Sequence, residues 1–119
     1  MDVAYPARPE SSPTMRRALR KFLAALRLER TRHEDVVLAA GEAIANAIEH
    51  AYRGGDGDVR LRVFTTTTRV VVEVSDRGRW RLEGDAERGR GLCIMRALVD
   101  HVVIESTRDG TKVRLELSL

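Results

Sequence analysis

The stretch "TRHEDVVLAAGEAIANAIEHAYRGGDGDVRLRVFT", residues 31–65, contains the change of period that decides the fold. Over Thr31 to Tyr52 the apolar residues Val37, Ala40, Ile44, Ala47, Ile48 and Ala51 recur at helical spacing, giving one buried stripe. Thr31, followed three residues later by Glu34, has the form of a capping box and sets the expected helix start. "RGGDGD" ends the helix, because consecutive glycines disfavour its continuation. From Asp58 the period falls to two: Val59, Leu61 and Val63 face one way, Arg60 and Arg62 the other.

Outward from this junction the same reasoning places the other elements. "RVVVEVSD" is a second strand, joined to the first through the threonines at 65–68 as an antiparallel hairpin. "GLCIMRALVDHV" is a short third helix, and "HVVIEST", "RDG" and "TKVRLELSL" make a second hairpin. Upstream, Met15, Leu19, Phe22, Leu23 and Leu26 form the buried face of a helix opening at "SSPT", opposite Arg16, Arg20 and Arg27. Residues 1–13 hold all three prolines and read as an extended lead or short edge strand, leaving 14–119 as a single domain. The order helix, helix, strand, strand, helix, strand, strand fits an α+β two-layer sandwich. Its expected sheet is mostly antiparallel, with four to five strands and three helices on one face.

Composition narrows the function. At 119 residues with 43% hydrophobic content, the chain has the size and apolar fraction of one globular domain. No apolar run approaches the ~20 residues of a membrane span, and the N-terminus lacks the pattern of a signal peptide, so a cytoplasmic protein without membrane contact is expected. Cys93 is the only cysteine, and its position between Leu92 and Ile94 suggests a small buried residue. His33, His50 and His101 form no metal-ligand pair. The net charge of +3 and the 4% aromatic content give little support for direct nucleic-acid binding.

Three local patterns carry chemistry. Glu42 and Asn46, with Glu49 or His50 a further turn on, share a helix face, so a carboxylate able to accept a proton lies beside an amide oxygen suited to Mg²⁺. Asp76 leaves a strand just before Gly78, where a carboxylate can accept a hydrogen bond from an exocyclic amine and the glycine can lie close to a flat ring. Gly89 and Gly91 precede the third helix, whose first amides can converge on an anion. Taken singly, each pattern also has an ordinary reading: a solvated helix face, an Asp/Gly turn, a glycine loop.

Their order along the chain is distinctive. Through "GEAIANAIEHAY", "SDRGRWR", "GRGLCIMRALVD" and "DGTKVRLEL" the sequence resembles the GHKL (Bergerat) ATP-binding domains, and most closely the bacterial anti-sigma-factor serine/threonine kinases. The resemblance spans nearly the whole chain and implies a role for each matching residue. Glu42 is the catalytic carboxylate and Asn46 the ligand of Mg²⁺ bridging the ATP phosphates. Asp76 and Gly78 hold adenine, with a contribution from the Thr111 hydroxyl. Gly89, Gly91 and Leu92 form the phosphate-side loop, and residues 79–90 a short lid. The resemblance further implies a homodimer whose partners are a sigma factor and a STAS-type anti-sigma-factor antagonist. One departure stands out: Trp80 occupies the place of the second glycine in the expected Asp-x-Gly-x-Gly box. There it either covers the nucleotide, with Arg77, Arg79, Arg81, Arg88 and Arg90 supplying charge, or marks a module that binds partners without phosphotransfer.

Overall fold

A computed structural model describes residues 1–53, 57–77 and 89–119. In chain order the elements are β1 (Asp2–Pro6), α1 (Ser11–Ala24), α2 (Arg30–Arg53), β2 (Asp58–Thr65), β3 (Arg69–Asp76), α3 (Gly89–Leu98), β4 (His101–Thr107) and β5 (Gly110–Ser118). The strands form one sheet in the order β1-β2-β3-β5-β4, and every neighbouring pair is antiparallel. The proline-bearing lead is realised in part as an edge strand, with Val3 opposite Leu61.

Period-two alternation gives the sheet two chemically different faces. On the inner face Val59, Leu61 and Val63 of β2, Val70, Val72 and Val74 of β3, and Val113, Leu115 and Leu117 of β5 are buried. They pack against Met15, Leu19 and Leu23 of α1, Ile44 and Ala47 of α2, and Met95 of α3. Each large side chain so buried stabilises the fold by about 1.5–3 kcal/mol. Helix α2 packs on the sheet and on both other helices. Its small residues Ala39, Ala40, Ala43 and Ala47, all buried, allow that close approach on several sides.

The outer face is closed by its own charged side chains. Buried Glu73 lies 3.2 Å from Arg62 and 3.8 Å from Arg114, while Glu116 takes Arg69 at 2.9 Å and Arg114 at 3.2 Å. The guanidinium carbons of Arg62 and Arg114 lie 4.8 and 5.9 Å from the centroid of the Phe64 ring. Val71 shares this face yet is fully buried, because the stems of these long residues cover it.

Two sequence expectations are corrected. Thr31 is not the N-cap of α2: the helix begins at Arg30, and the His33 amide already donates to the Glu29 carbonyl at 2.9 Å. Glu34 instead accepts a hydrogen bond from Arg20 of α1 at 2.6 Å, a contact that a local capping rule does not see. Cys93 is exposed, not buried. Buried positions on α3 recur at Gly91 and Met95 and continue to Val99 just beyond it, a spacing that turns Cys93 and Ile94 outward.

Candidate functional site

Helix α2 carries Glu42 and Asn46 one turn apart, both half-buried, on the side met by the start of α3. Gly91 is the point of contact. A Cβ built on it would lie 3.3 Å from Asn46 Nδ2 and 3.3 Å from Glu42 Oε2. Only a residue without a side chain lets the first turn of α3 rest there without moving the pair. That turn contains no acidic residue, and the leading amides of a helix have no partner within it. A carboxylate, a carboxamide and a helix N-terminus thus converge, with half-buried Leu92 anchoring α3 to the core.

A second group lies at the end of β3. Asp76 is buried on the inner, helix-facing side of the sheet and pairs across the ladder with buried Thr111 of β5. The β4–β5 turn closes over the same point. Gly110 has φ of 142°, and a Cβ there would fall 1.9 Å from the Asp76 carbonyl oxygen. Sequence reasoning placed Gly110 in the "RDG" turn but gave it no part in the site. Its close approach to β3 follows from the pairing of strands 34 residues apart in sequence, counted from Asp76 to Gly110.

The other sequence candidates divide. Gly89 opens α3 together with Arg90. Gly78, Arg79, Trp80, Arg81 and Arg88, and with them most of the expected lid at 79–90, lie outside the described residues. Arg77 follows β3 and is exposed. Beyond Asn46 on α2, His50 is buried and Glu49 exposed. A cavity of about 630 Å³ touches Asp76, but its lining residues Ala4, Arg60 and Ser75 belong to the outer face. The geometry therefore puts Glu42 and Asn46 on the opposite side of the sheet from that cavity.

The donor set fits Mg²⁺ as it binds to nucleotides. The ion prefers oxygen ligands, keeps several waters and is usually held through substrate phosphates plus one or two protein oxygens. Asn46 supplies a carboxamide, and no group of three or more His, Cys, Asp or Glu side chains forms a cage among the described residues. An acid, an amide and free helix amides are the components of a phosphate-handling site.

The sequence relationships agree with that class. The chain belongs to the histidine kinase-like ATPase domain family, whose model matches residues 5–117. It is 27% identical over 130 residues to the anti-sigma F factor of Caldanaerobacter subterraneus subsp. tengcongensis, covering 97% of this chain and 90% of that one. With the serine-protein kinase RsbW of Bacillus pumilus it shares 27% identity over 131 residues, covering 93% of this chain and 81% of the kinase. Its fold superposes on the crystal structure of the RsbU and RsbW domains of Rv1364c from Mycobacterium tuberculosis with a TM-score of 0.78 at 27% identity. That match takes in 98% of this chain and 31% of the longer one. Among the described residues no helix is long and apolar enough to cross a membrane.

Proposed function

We propose that this chain is an ATP-dependent serine/threonine kinase of the partner-switching kind. It transfers the γ-phosphate of ATP to a hydroxyl on a STAS-type anti-sigma-factor antagonist and sequesters a sigma factor while the antagonist is phosphorylated. The observation that carries the reading is the convergence of Glu42 and Asn46 on the N-terminus of α3 across Gly91. The names of the relatives, anti-sigma F factor and serine-protein kinase RsbW, support it. We place the protein in the cytoplasm as a homodimer, the arrangement implied by the anti-sigma kinase resemblance.

In this reading Asp76 accepts a hydrogen bond from the adenine amino group, with the Thr111 hydroxyl beside it. The α3 amides face the phosphates. Glu42 orients the acceptor hydroxyl and takes its proton as the oxygen bonds to the γ-phosphorus and the bond to the β-phosphate oxygen breaks, releasing ADP. Asn46 is the residue that would hold Mg²⁺, whose bound form neutralises charge on the phosphates. Single-turnover transfer from radiolabelled ATP to a purified cognate antagonist tests the proposal. Binding of the antagonist with no labelled product would favour a partner-binding module without phosphotransfer, the reading that Trp80 at the glycine position motivates.

Two substitutions separate the parts of this site. Asn46→Ala is expected to leave nucleotide binding measurable but to remove most of its dependence on Mg²⁺, read by calorimetry with and without EDTA. Gly91→Ala forces Asn46 and Glu42 to give by a few tenths of an ångström. Its melting temperature should therefore stay within about 4 °C of wild type, while transfer slows about tenfold.

A further inference from the structure

The two outer edges of the sheet are built differently. At β1, Met1 and Val63 bond each other in both directions, at 2.9 and 2.8 Å, so the backbone of Asp2, Ala4 and Pro6 faces outward. Pro6 has no N–H to offer there, and Asp2 is tied to Arg60. Proline, charge and shortness are the usual guards of an exposed edge, and β1 has only five residues. Strand β4, "HVVIEST", carries no proline, lysine or arginine. It ends the sheet, and among the described residues no strand pairs with its far side.

The turn at residues 108 and 109 closes on the Thr107–Gly110 pair, which sets the backbone phase of β4. His101, Val103, Glu105 and Thr107 bond β5, while the N–H and C=O of Val102, Ile104 and Ser106 point to the open side. Side chains alternate with the same period. Val102 and Ile104 are half-buried on the inner face, and His101, Val103 and Glu105 are exposed on the outer one. Val103 is 44% exposed, and Ile94 of α3, the helix that packs on β4, is 41% exposed. An open row of donors and acceptors therefore lies between two apolar side chains set in water.

We infer that β4 is the seam of a homodimer, pairing antiparallel with β4 of a second copy about a twofold axis at Val103. In that register Val103 meets its own counterpart, Val102 meets Ile104, and His101 meets Glu105 at both ends. An imidazole N–H faces a carboxylate each time, so the segment from His101 to Glu105 is its own complement. Moving the axis to Val102 or Ile104 would set Val103 against His101 or Glu105 and lose that pairing. Across the seam the outer face reads Lys112, Glu105, His101, Glu116, continuing the alternation of charge that covers the rest of it. The axis runs perpendicular to the sheet, so both α3 helices stand on one side of it. There Ile94, Leu98, Val102 and Ile104 of the two copies extend the apolar layer from one subunit to the other. The inference rests on the homodimer of the reading above and gives it a surface; it makes no use of phosphotransfer.

Two measurements on the full chain test the seam. Sedimentation velocity from about 1 to 100 µM should show a monomer–dimer equilibrium in wild type. Val103→Lys, which sets like charges opposite each other at an exposed position, should weaken it about tenfold or more. Arg17→Glu, exposed on α1 at the other end of the sheet, should change it less than about twofold. Register is read by cross-linking with oxidised glutathione in a Cys93→Ser background. Opposed residues that do not share backbone hydrogen bonds have Cα atoms about 4.5 Å apart, within disulfide reach, so Val103→Cys should join two chains almost completely. Val102→Cys, which faces Ile104 in this register, should join at least about tenfold fewer. A dimer that forms equally well in Val103→Lys and does not cross-link through Val103→Cys overturns the seam and leaves a homodimer through another surface. Preferred cross-linking through Val102→Cys overturns the register. A wild type that stays monomeric at every concentration overturns the seam and the homodimer together, with the kinase reading still to be decided by the transfer assay.

Discussion

Glu42→Gln is expected to slow phosphoryl transfer to the acceptor by about 10²–10⁴-fold, while Mg-nucleotide binding stays within about threefold of wild type. Glutamine keeps the shape of the side chain and an oxygen able to face the start of α3, but it cannot accept the proton of the attacking hydroxyl. That loss corresponds to about 3–5 kcal/mol of barrier. Glu42 is half-buried and touches Gly91, so an isosteric change disturbs the packing little. Rapid-quench single-turnover kinetics separate the alternatives. A rate within threefold of wild type means the carboxylate takes no proton, and parallel loss of binding and rate means it shapes the site.

Gly110→Ala should have the largest effect on the fold of any glycine-to-alanine change among the described residues. The residue combines φ of 142° with a Cβ position 1.9 Å from the Asp76 carbonyl oxygen, 2.7 Å from Arg77 Cα and 2.9 Å from the Asp76 carbonyl carbon. All three are backbone atoms, which cannot rotate aside as a side chain does. The hairpin must open or β3 must shift, at a cost of about 3 kcal/mol or more, lowering the melting temperature by on the order of 10 °C. Either movement separates Thr111 from Asp76, so the nucleotide affinity of whatever remains folded should fall as well. A variant that melts within about 2 °C of wild type would contradict this view of the turn.

The contrast between Gly91 and Gly110 shows where sequence reading stops. Both were legible as glycines beside a helix or a turn. The close contact of each is with a residue more than 30 positions away, and only the assembled sheet and helices reveal it. Elements were clearer than their arrangement. The helical period of 31–52 gives α2 to within one residue at either end, and alternation gives β2 and β5. Adjacent strands joined by short turns were readable as hairpins. The pairing of β3 with β5 and of β1 with β2 was not, since nothing local distinguishes one valine-rich edge from another.

Cys93 illustrates the same limit on a smaller scale. In "GLCIMRAL" nearly every position is apolar, so the period does not say which side of α3 turns inward. Packing against α2 selects Gly91 and Met95 and leaves Cys93 outside. Site chemistry was more legible than site geometry. Glu42, Asn46 and Asp76 stood out by residue type, by spacing and by resemblance to a family, whereas the close approach of Gly91 to the Glu42–Asn46 pair did not.

The central claim is that a nucleotide occupies the site between α2, the start of α3 and the end of β3, with Asp76 reading its base. Calorimetric titration of wild type and Asp76→Asn with Mg-ADP and Mg-ATP tests it most directly. The predicted result is saturable binding of one nucleotide per chain by wild type, weakened by about tenfold or more in Asp76→Asn, where a buried acceptor of the adenine amino group is replaced by an amide. No heat from wild type at millimolar nucleotide with Mg²⁺ present, or equal affinity of the two proteins, would contradict it.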